Sequence, residues 1–306
     1  MTRPERRARK VILDCDPGAD DAIAILLALA SPEIEVAAIT VAGGNAPLVR
    51  TLANACGLVG LSGCRVPVHA GAARALLAPY PPGWPGHSED GVAGVALPAG
   101  VAPAATLAHD AIRAILREAA APVTLVGIGP ATNLALALAC EPALATEVEE
   151  IVLMSGARGE GNATPGAEFN AWCDPEALAI VVGAERMLTL ATLESGRAAP
   201  VTPARLSAFR AAAGGRALET AAAILGALLA GRPDGVPLYD PCALAWLIAP
   251  HLFDAQPASV AVDLGPGPSR GRTAIDRRGP ANARVLHPLD PDGLFALFRE
   301  RIARLP

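Results

Sequence analysis

Near its N-terminus the chain sets four aspartates within eight residues, between an apolar strand and an apolar helix. Val11-Ile12-Leu13 runs into Asp14-Cys15-Asp16-Pro17-Gly18-Ala19-Asp20-Asp21, and Ala22 to Ala30 follows without a polar side chain. The first three residues read as a short buried strand, Pro17-Gly18 as its turn, and Ala22 to Ala30 as a buried helix. The acids therefore lie at the C-terminal edge of a strand, where open parallel α/β sheets bind their ligands. The two-residue period of a strand puts Asp14 and Asp16 on one side of it. Asp20 and Asp21 arrive from the first turn of the helix. Taken singly, any of these acids is better read as a helix cap or a solvated turn residue. Neither a cap nor a turn needs four, and converging carboxylates repel unless they are protonated or share a cation. Hard oxygen donors select Ca²⁺ or Mg²⁺ over zinc.

The rest of the chain repeats the strand-then-helix pattern. Apolar strand-like runs recur at Val36 to Val41, Val66 to His69, Val123 to Val126, Ile151 to Met154 and Met187 to Leu190, with helical segments between them. Strands alternating with helices predict an α/β fold with an open, mostly parallel, doubly wound sheet. The alanine-rich stretch Pro203 to Leu229 reads as helical. Pro241 to Ala249 reads as a further helix with Asp240 placed to cap it. A hairpin-like stretch, Val260 to Val285, precedes a terminal helix, Pro291 to Arg304. Residues 1–10 read as a flexible leader and 11–306 as a single domain with additional C-terminal helices, with no linker and no internal repeat.

Composition narrows the function classes. A chain of 306 residues with 52% hydrophobic content can bury a large core, and its net charge of −5 comes with basic residues scattered beyond the first ten. No patch suggests nucleic acid or an anionic membrane surface. No apolar run reaches the length of a membrane span. The six cysteines include no Cys-x-x-Cys pair and predict reduced thiols in the cytoplasm.

Other polar constellations fall in the predicted loops. Gly159 to Asp174 contains Asn162, Glu168 and Asn170. Amide and carboxylate side chains at that density suit recognition of sugar hydroxyls, each of which needs a donor and an acceptor. The same residues also suit Asx-turns within a long loop. Gly127-Ile128-Gly129-Pro130 lacks the Lys and Ser or Thr of a phosphate loop, and reads instead as a plain turn or a source of a backbone carbonyl ligand. Tyr80 to Gly94 is rich in Pro and Gly, holds His87, and reads as a mobile loop beside a site. No serine nucleophile elbow and no zinc-protease histidine spacing occurs.

Assembled, these residues resemble the inosine-uridine-preferring nucleoside hydrolase family. The likeness runs through Asp-Cys-Asp-Pro-Gly-Ala-Asp-Asp-Ala at 14–22, Thr-Val-Ala-Gly-Gly-Asn at 40–45, Gly-Pro-Ala-Thr-Asn-Leu-Ala at 129–135, Ala-Glu-Phe-Asn at 167–170 and Tyr-Asp-Pro-Cys-Ala at 239–243. The first of these is specific; the others are weak singly but occur in family order. The resemblance implies a Rossmann-like nucleoside hydrolase core and a Ca²⁺ held by Asp16, Asp21, Asp240 and the carbonyl of Ile128. It further implies that Asp16 activates a metal-bound water, that Asp14 supports the site, and that Asp20, Asn45, Met154, Asn162, Glu168 and Asn170 meet the ribose. It implies a free ribonucleoside as substrate, a role in nucleoside salvage and a homo-oligomer, dimer or tetramer. One departure stands out. Many relatives carry a histidine before the last ligand aspartate to protonate the leaving base, and this chain has Tyr239. A phenol is a weaker acid than imidazolium. His87 is a substitute donor candidate, and equally a plain loop histidine.

Two other readings compete. Asp14-x-Asp16 resembles the nucleophile and acid pair of a haloacid dehalogenase-type phosphohydrolase, which gives no role to Asn162, Glu168 and Asn170. A nucleoside- or ribose-binding protein with little turnover would keep the cation and tolerate Tyr239.

Overall fold

The computed structural model describes residues 8–81 and 89–306. The chain begins β1 (Arg9–Cys15), α1 (Ala19–Leu29), β2 (Ile34–Val41), α2 (Leu48–Ser62) and β3 (Val68–Ala70). After a long connection come α3 (Ala108–Arg117), β4 (Val123–Gly127), α4 (Thr132–Cys140), β5 (Val148–Met154), α5 (Phe169–Cys173), α6 (Pro175–Val182), β6 (Leu188–Ala191) and α7 (Leu193–Ala198). The C-terminal third holds β7 (Pro200–Val201), α8 (Pro203–Ala211), α9 (Arg216–Leu229), β8 (Val236–Pro237), α10 (Asp240–Ile248), β9 (Phe253–Val262), β10 (Thr273–Asp276), β11 (Ala283–Pro288) and α11 (Pro291–Ile302).

Nine strands form one sheet in the order β10-β9-β11-β6-β5-β4-β1-β2-β3. From β3 to β6 every pairing is parallel, β11 joins β6 in parallel, and β9 and β10 add antiparallel pairs at the far edge. The chain winds from β1 outward to β3, then returns to start β4 on the other side of β1. Such a reversal opens a crevice at the C-terminal ends of the two strands, where crossover connections diverge. Asp14 pairs in register with Thr40 on one side and with Gly127 on the other, so the first acid stands at that crevice.

The alternation within β1 divides the core. Val11, Leu13 and Cys15 join the cluster built on α1, α9, α10 and α11, whereas Ile12 joins the opposite cluster with Ile112, Leu125 and Leu134. Asp14 shares the face of Ile12. Helix α1 is apolar around its whole circumference because α2, α9, α10 and α11 enclose it on the sheet. Its rigid burial fixes where Asp20 and Asp21 leave its first turn. Among the described residues no helix is long and apolar enough to cross a membrane.

The α/β doubly wound reading holds, with several differences. The predicted hairpin between Val260 and Val285 is three strands, and β9 starts earlier, at Phe253. The C-terminal region thus extends the sheet as well as adding helices. The helical stretch from Pro203 to Leu229 splits into α8 and α9 around Gly214-Gly215, where a Cβ on Gly215 would lie 2.0 Å from the Pro306 backbone. Asp240 does not cap α10. It is the helix's first residue, Tyr239 holds the cap position, and no side chain makes the capping bond.

Candidate active site

Asp14, Asp16, Asp21 and Asp240 are all buried, at 0–3% exposure, and Asp20 is at 9%. Water thus does little to screen them from one another. The Asp14 Oδ1 accepts hydrogen bonds from Thr40 Oγ1 at 2.6 Å and Asn133 Nδ2 at 2.8 Å. Burial nevertheless pushes its carboxyl up to about 7, against the pull of those two bonds. The Asp16 Oδ2 accepts the Asn45 backbone N–H at 2.6 Å. Its other oxygen, Oδ1, is buried with no donor among the described residues. Glycines make this approach possible: a Cβ on Gly44 would lie 2.1 Å from Oδ2, and one on Gly129 would lie 2.5 Å from Oδ1.

Asp21 faces back across the turn. Its Oδ1 accepts the Asp16 N–H at 3.2 Å, while Oδ2 accepts from Gly18 N–H at 2.9 Å and Asn45 Nδ2 at 3.0 Å. Burial first, and the nearby Asp20 next, push it up to about 7. Burial and three neighbouring carboxylates hold Asp240 well above the usual carboxylate range, and burial followed by Asp21 does the same to Asp16. Oxygens of Asp20, Asp21 and Asp240 lie within 4.8 Å of one another. The resemblance assigns Asp20 to ribose and Asp16 to the cation; the converging oxygens are those of Asp20, Asp21 and Asp240. An orphaned carboxylate oxygen, a glycine cradle and an all-oxygen donor set with unrelieved repulsion together fit a hard divalent cation.

A cavity of about 280 Å³ opens beside these acids, near the lower end of ~300–1,000 Å³ typical of small-molecule clefts. Asp20, Asn45, Ile128, Met154, Asn162, Glu168, Asn170, Tyr239 and Asp240 all line it. Except for His87, which lies outside the described residues, the predicted substrate and metal positions are therefore around one space, with Asp14, Asp16 and Asp21 buried behind its wall. Several also build that wall. Glu168 caps α5, accepting the backbone N–H groups of Asn170 and Ala171 and, from the preceding loop, the Ser155 hydroxyl and the Gly156 N–H. Asn162 Oδ1 accepts the Phe169 N–H at 2.9 Å, which leaves its amide hydrogens for a ligand. Asn170 Nδ2 donates to the carbonyls of Ile128 and Met154 at 3.0 and 3.1 Å, fixing the Ile128 carbonyl at the cavity edge.

Sequence reasoning missed the supports. Asn133 bridges Asp14 and the Ala72 N–H, and Asp174, fully buried, accepts from Thr132 Oγ1 and the Leu76 N–H. Tyr80 extends this chain by donating to Thr132. Asn133 lies inside the 129–135 segment singled out above, but nothing in one sequence tells a strut from a ligand. Leu228, Arg232, Val236 and Pro237, also in the cavity wall, come from the end of α9, the turn after it and β8, which carry no motif.

The family model described as inosine-uridine preferring nucleoside hydrolase matches residues 11–296. The chain belongs to this family. It is a hydrolase acting on N-glycosyl compounds, and the phosphohydrolase reading falls away. This nucleoside hydrolase is similar to the pyrimidine-specific ribonucleoside hydrolase RihA of Shewanella woodyi, at 39% identity over 99% of this chain and 98% of the relative. It is 38% identical to the protein of the same name from Salmonella typhimurium, over 96% of this chain and 98% of that one. Among solved structures it is similar to an inosine-guanosine nucleoside hydrolase, with a TM-score of 0.90, 29% identity and coverage of 98% and 99%. The purine-preferring ribonucleoside hydrolase from Gardnerella vaginalis gives 0.88, 29%, 96% and 98%.

Proposed function

We propose that the chain hydrolyses the N-glycosidic bond of free ribonucleosides, pyrimidine ribonucleosides before purine ones, with a bound Ca²⁺. The observation that carries this reading is the buried carboxylate group at the sheet's reversal, opening on a cavity walled by the side chains of Asn45, Asn162, Glu168 and Asn170. The base preference is supported by the pyrimidine-specific relatives at 38–39% identity, against 29% for the purine-named structures.

Asp16, Asp21, Asp240 and the Ile128 carbonyl would hold the cation, with Asp20 close enough to share it. When bound, the cation supplies the positive charge that lets these carboxylates ionise together and that makes a nearby water easier to deprotonate. The Asp16 Oδ1 has no donor among the described residues to compete with water, which suits it to accept the proton as water attacks C1′. Positive charge then develops on the sugar, and the surrounding carboxylates favour it. Asn45, Asn162, Glu168 and Asn170 orient the hydroxyls, with Met154 beneath the sugar. Tyr239 faces the same cavity and meets the departing base.

The test is release of reducing sugar from a panel of purine and pyrimidine ribonucleosides, with EDTA-treated and Ca²⁺-restored protein run beside an Asp16→Ala variant. Ribose release that needs Ca²⁺, falls ~10³-fold or more in the variant and ranks uridine or cytidine first is the expected outcome. Silence across the panel, with ribose still bound, would replace the hydrolase by a binding protein, the reading to which Tyr239 lends weight.

A further inference from the structure

Strand β10 carries no residue of the predicted site and ends the sheet order, yet its first residue reaches the loop that holds Asn162 and Glu168. That residue, Thr273, is 4% exposed. Its hydroxyl grips Ala157 from both sides: Oγ1 accepts the Ala157 N–H at 3.0 Å and donates to the Ala157 carbonyl at 3.2 Å. Gly156 makes room for the grip. Its φ of 81° is left-handed, and a Cβ there would lie 2.6 Å from Thr273 Oγ1.

The connection between β9 and β10 holds the other end of the same loop. Gly271 approaches α5 so closely that a Cβ on it would lie 3.0 Å from Trp172 Cα, and the neighbouring Arg270 pairs with Glu176 in the first turn of α6. One hairpin thus clasps the segment between Gly156 and Trp172 at both ends.

Thr273 is linked to Glu168 through Gly156. The Glu168 Oε2 accepts the Gly156 N–H at 3.0 Å, the Ala171 N–H at 3.0 Å and the Ser155 hydroxyl at 3.2 Å. Its Oε1 accepts a single donor among the described residues, the Asn170 N–H at 2.7 Å. A carboxylate oxygen has two lone pairs, so Oε1 keeps one for a ligand hydroxyl, and Glu168 lines the cavity. A carboxylate aims reliably only when the groups that hold it are themselves held. We propose that Thr273 is a positioning residue for sugar recognition: by gripping Ala157 it fixes the Gly156 N–H that orients Glu168, and so tightens the hold on the ribose hydroxyls. The proposal rests on the sugar-binding half of the reading above and adds to it a residue from the antiparallel end of the sheet.

The experiment uses the full-length, Ca²⁺-loaded protein with two probes, D-ribose binding by titration calorimetry and sugar release from uridine. Thr273→Val keeps the branched shape without the hydroxyl, and Thr273→Ser keeps the hydroxyl. Thr273→Val is expected to weaken ribose binding about 5- to 10-fold, the scale of one lost hydrogen-bond arrangement, and to lower kcat/KM on uridine by at least as much. Thr273→Ser is expected to restore both to within about twofold of the wild type. Ca²⁺ affinity is expected to hold in every variant, because Asp16 and Asp21 are fixed by Gly18 and Asn45 instead. In a Glu168→Gln background, Thr273→Val should cost less than about twofold more, because the two act as one unit. Ribose affinity unchanged in Thr273→Val beside a lower melting temperature would assign Thr273 a purely structural role and overturn the proposal. So would equal losses in Thr273→Ser and Thr273→Val, a parallel loss of Ca²⁺ and ribose affinity, or losses that multiply in the double variant. A wild-type protein that binds ribose in this pattern but releases none from uridine would support the proposal and overturn the hydrolase reading; one that does neither would overturn both.

Discussion

Asp16 is asked for two things that conflict. To accept a proton it must be ionised and close to water, but it is fully buried among Asp14, Asp20 and Asp21, where ionisation is opposed by burial and by like charge. Site chemistry and stability therefore pull in opposite directions at this residue. Asp16→Asn keeps the shape and removes the charge. It is expected to lower turnover ~10³-fold or more and at the same time to raise the melting temperature of the EDTA-treated protein at neutral pH. A calorimetric melt beside the sugar assay checks both; a fall in both would mean that Asp16 is chiefly a structural acceptor for the Asn45 N–H. The residues that carry this conflict were the most legible part of the chain, because four acids between a strand and a helix have no ordinary structural reason. Asn133, Thr40 and Asp174 were not legible. Each is a common polar residue whose role comes from a partner 26 to 119 positions away, as in the bonds of Asp14 to Thr40 and Asn133.

At the scale of elements, α10 links the site to the opposite end of the sheet. Its first residue is Asp240, and near its other end Trp246 Nε1 donates to Glu150 Oε1 at 3.0 Å. Glu150, only 5% exposed at the start of β5, also accepts from Thr189, Arg284 and Arg9, so one carboxylate joins α10 to β1, β5, β6 and β11. Glu150→Ala leaves two arginines and an indole N–H without their acceptor. Removing one member of a buried ion-pair group costs ~3–5 kcal/mol, and because both arginines are partly solvated the expected loss here is nearer ~2 kcal/mol. Denaturant unfolding checks this, and sugar release from the folded fraction is expected to stay near that of the wild type. Strands such as β1 and β4 were readable because burial on both faces turns them into continuous apolar runs. The antiparallel strands β9 and β10 were harder: Phe253 to Val262 mixes Asp254, Gln256, Pro257 and Ser259 among its apolar residues, and its full length is fixed only by antiparallel pairing with β11 over its first part and β10 over its last. The break between α8 and α9 was present in the sequence as Gly214-Gly215, but high helix propensity on both sides masked it.

For the molecule as a whole, the buried acids couple folding, pH and cation binding. In the metal-free fold the carboxyls of Asp14 and Asp21 stand at about 7, raised from about 3.8, chiefly by burial. Between roughly pH 4 and 7 the folded chain therefore keeps protons that the unfolded chain has released. Unfolding gives protons off in this window, so the contribution of these groups to stability is greatest at its acid end and declines as pH rises, with a slope of up to ~1.4 kcal/mol per pH unit for each group. Burial and neighbouring carboxylates raise Asp16 and Asp240 in the same direction, so they add to the decline. A divalent cation competes with those protons for the same oxygens, so it binds more tightly as they leave. Melts in EDTA are accordingly expected to move down from about pH 5 to pH 8, while melts in millimolar Ca²⁺ move less, and the gap between the two should widen steadily. A constant gap, or an EDTA melt that rises with pH, would show that the acids are already neutralised within the protein and would remove the main physical reason for a cation at the sheet's reversal. A gap that widens with Ca²⁺ but not with an equal concentration of Mg²⁺ would tie the selectivity to the many-oxygen, flexible geometry expected of a calcium site.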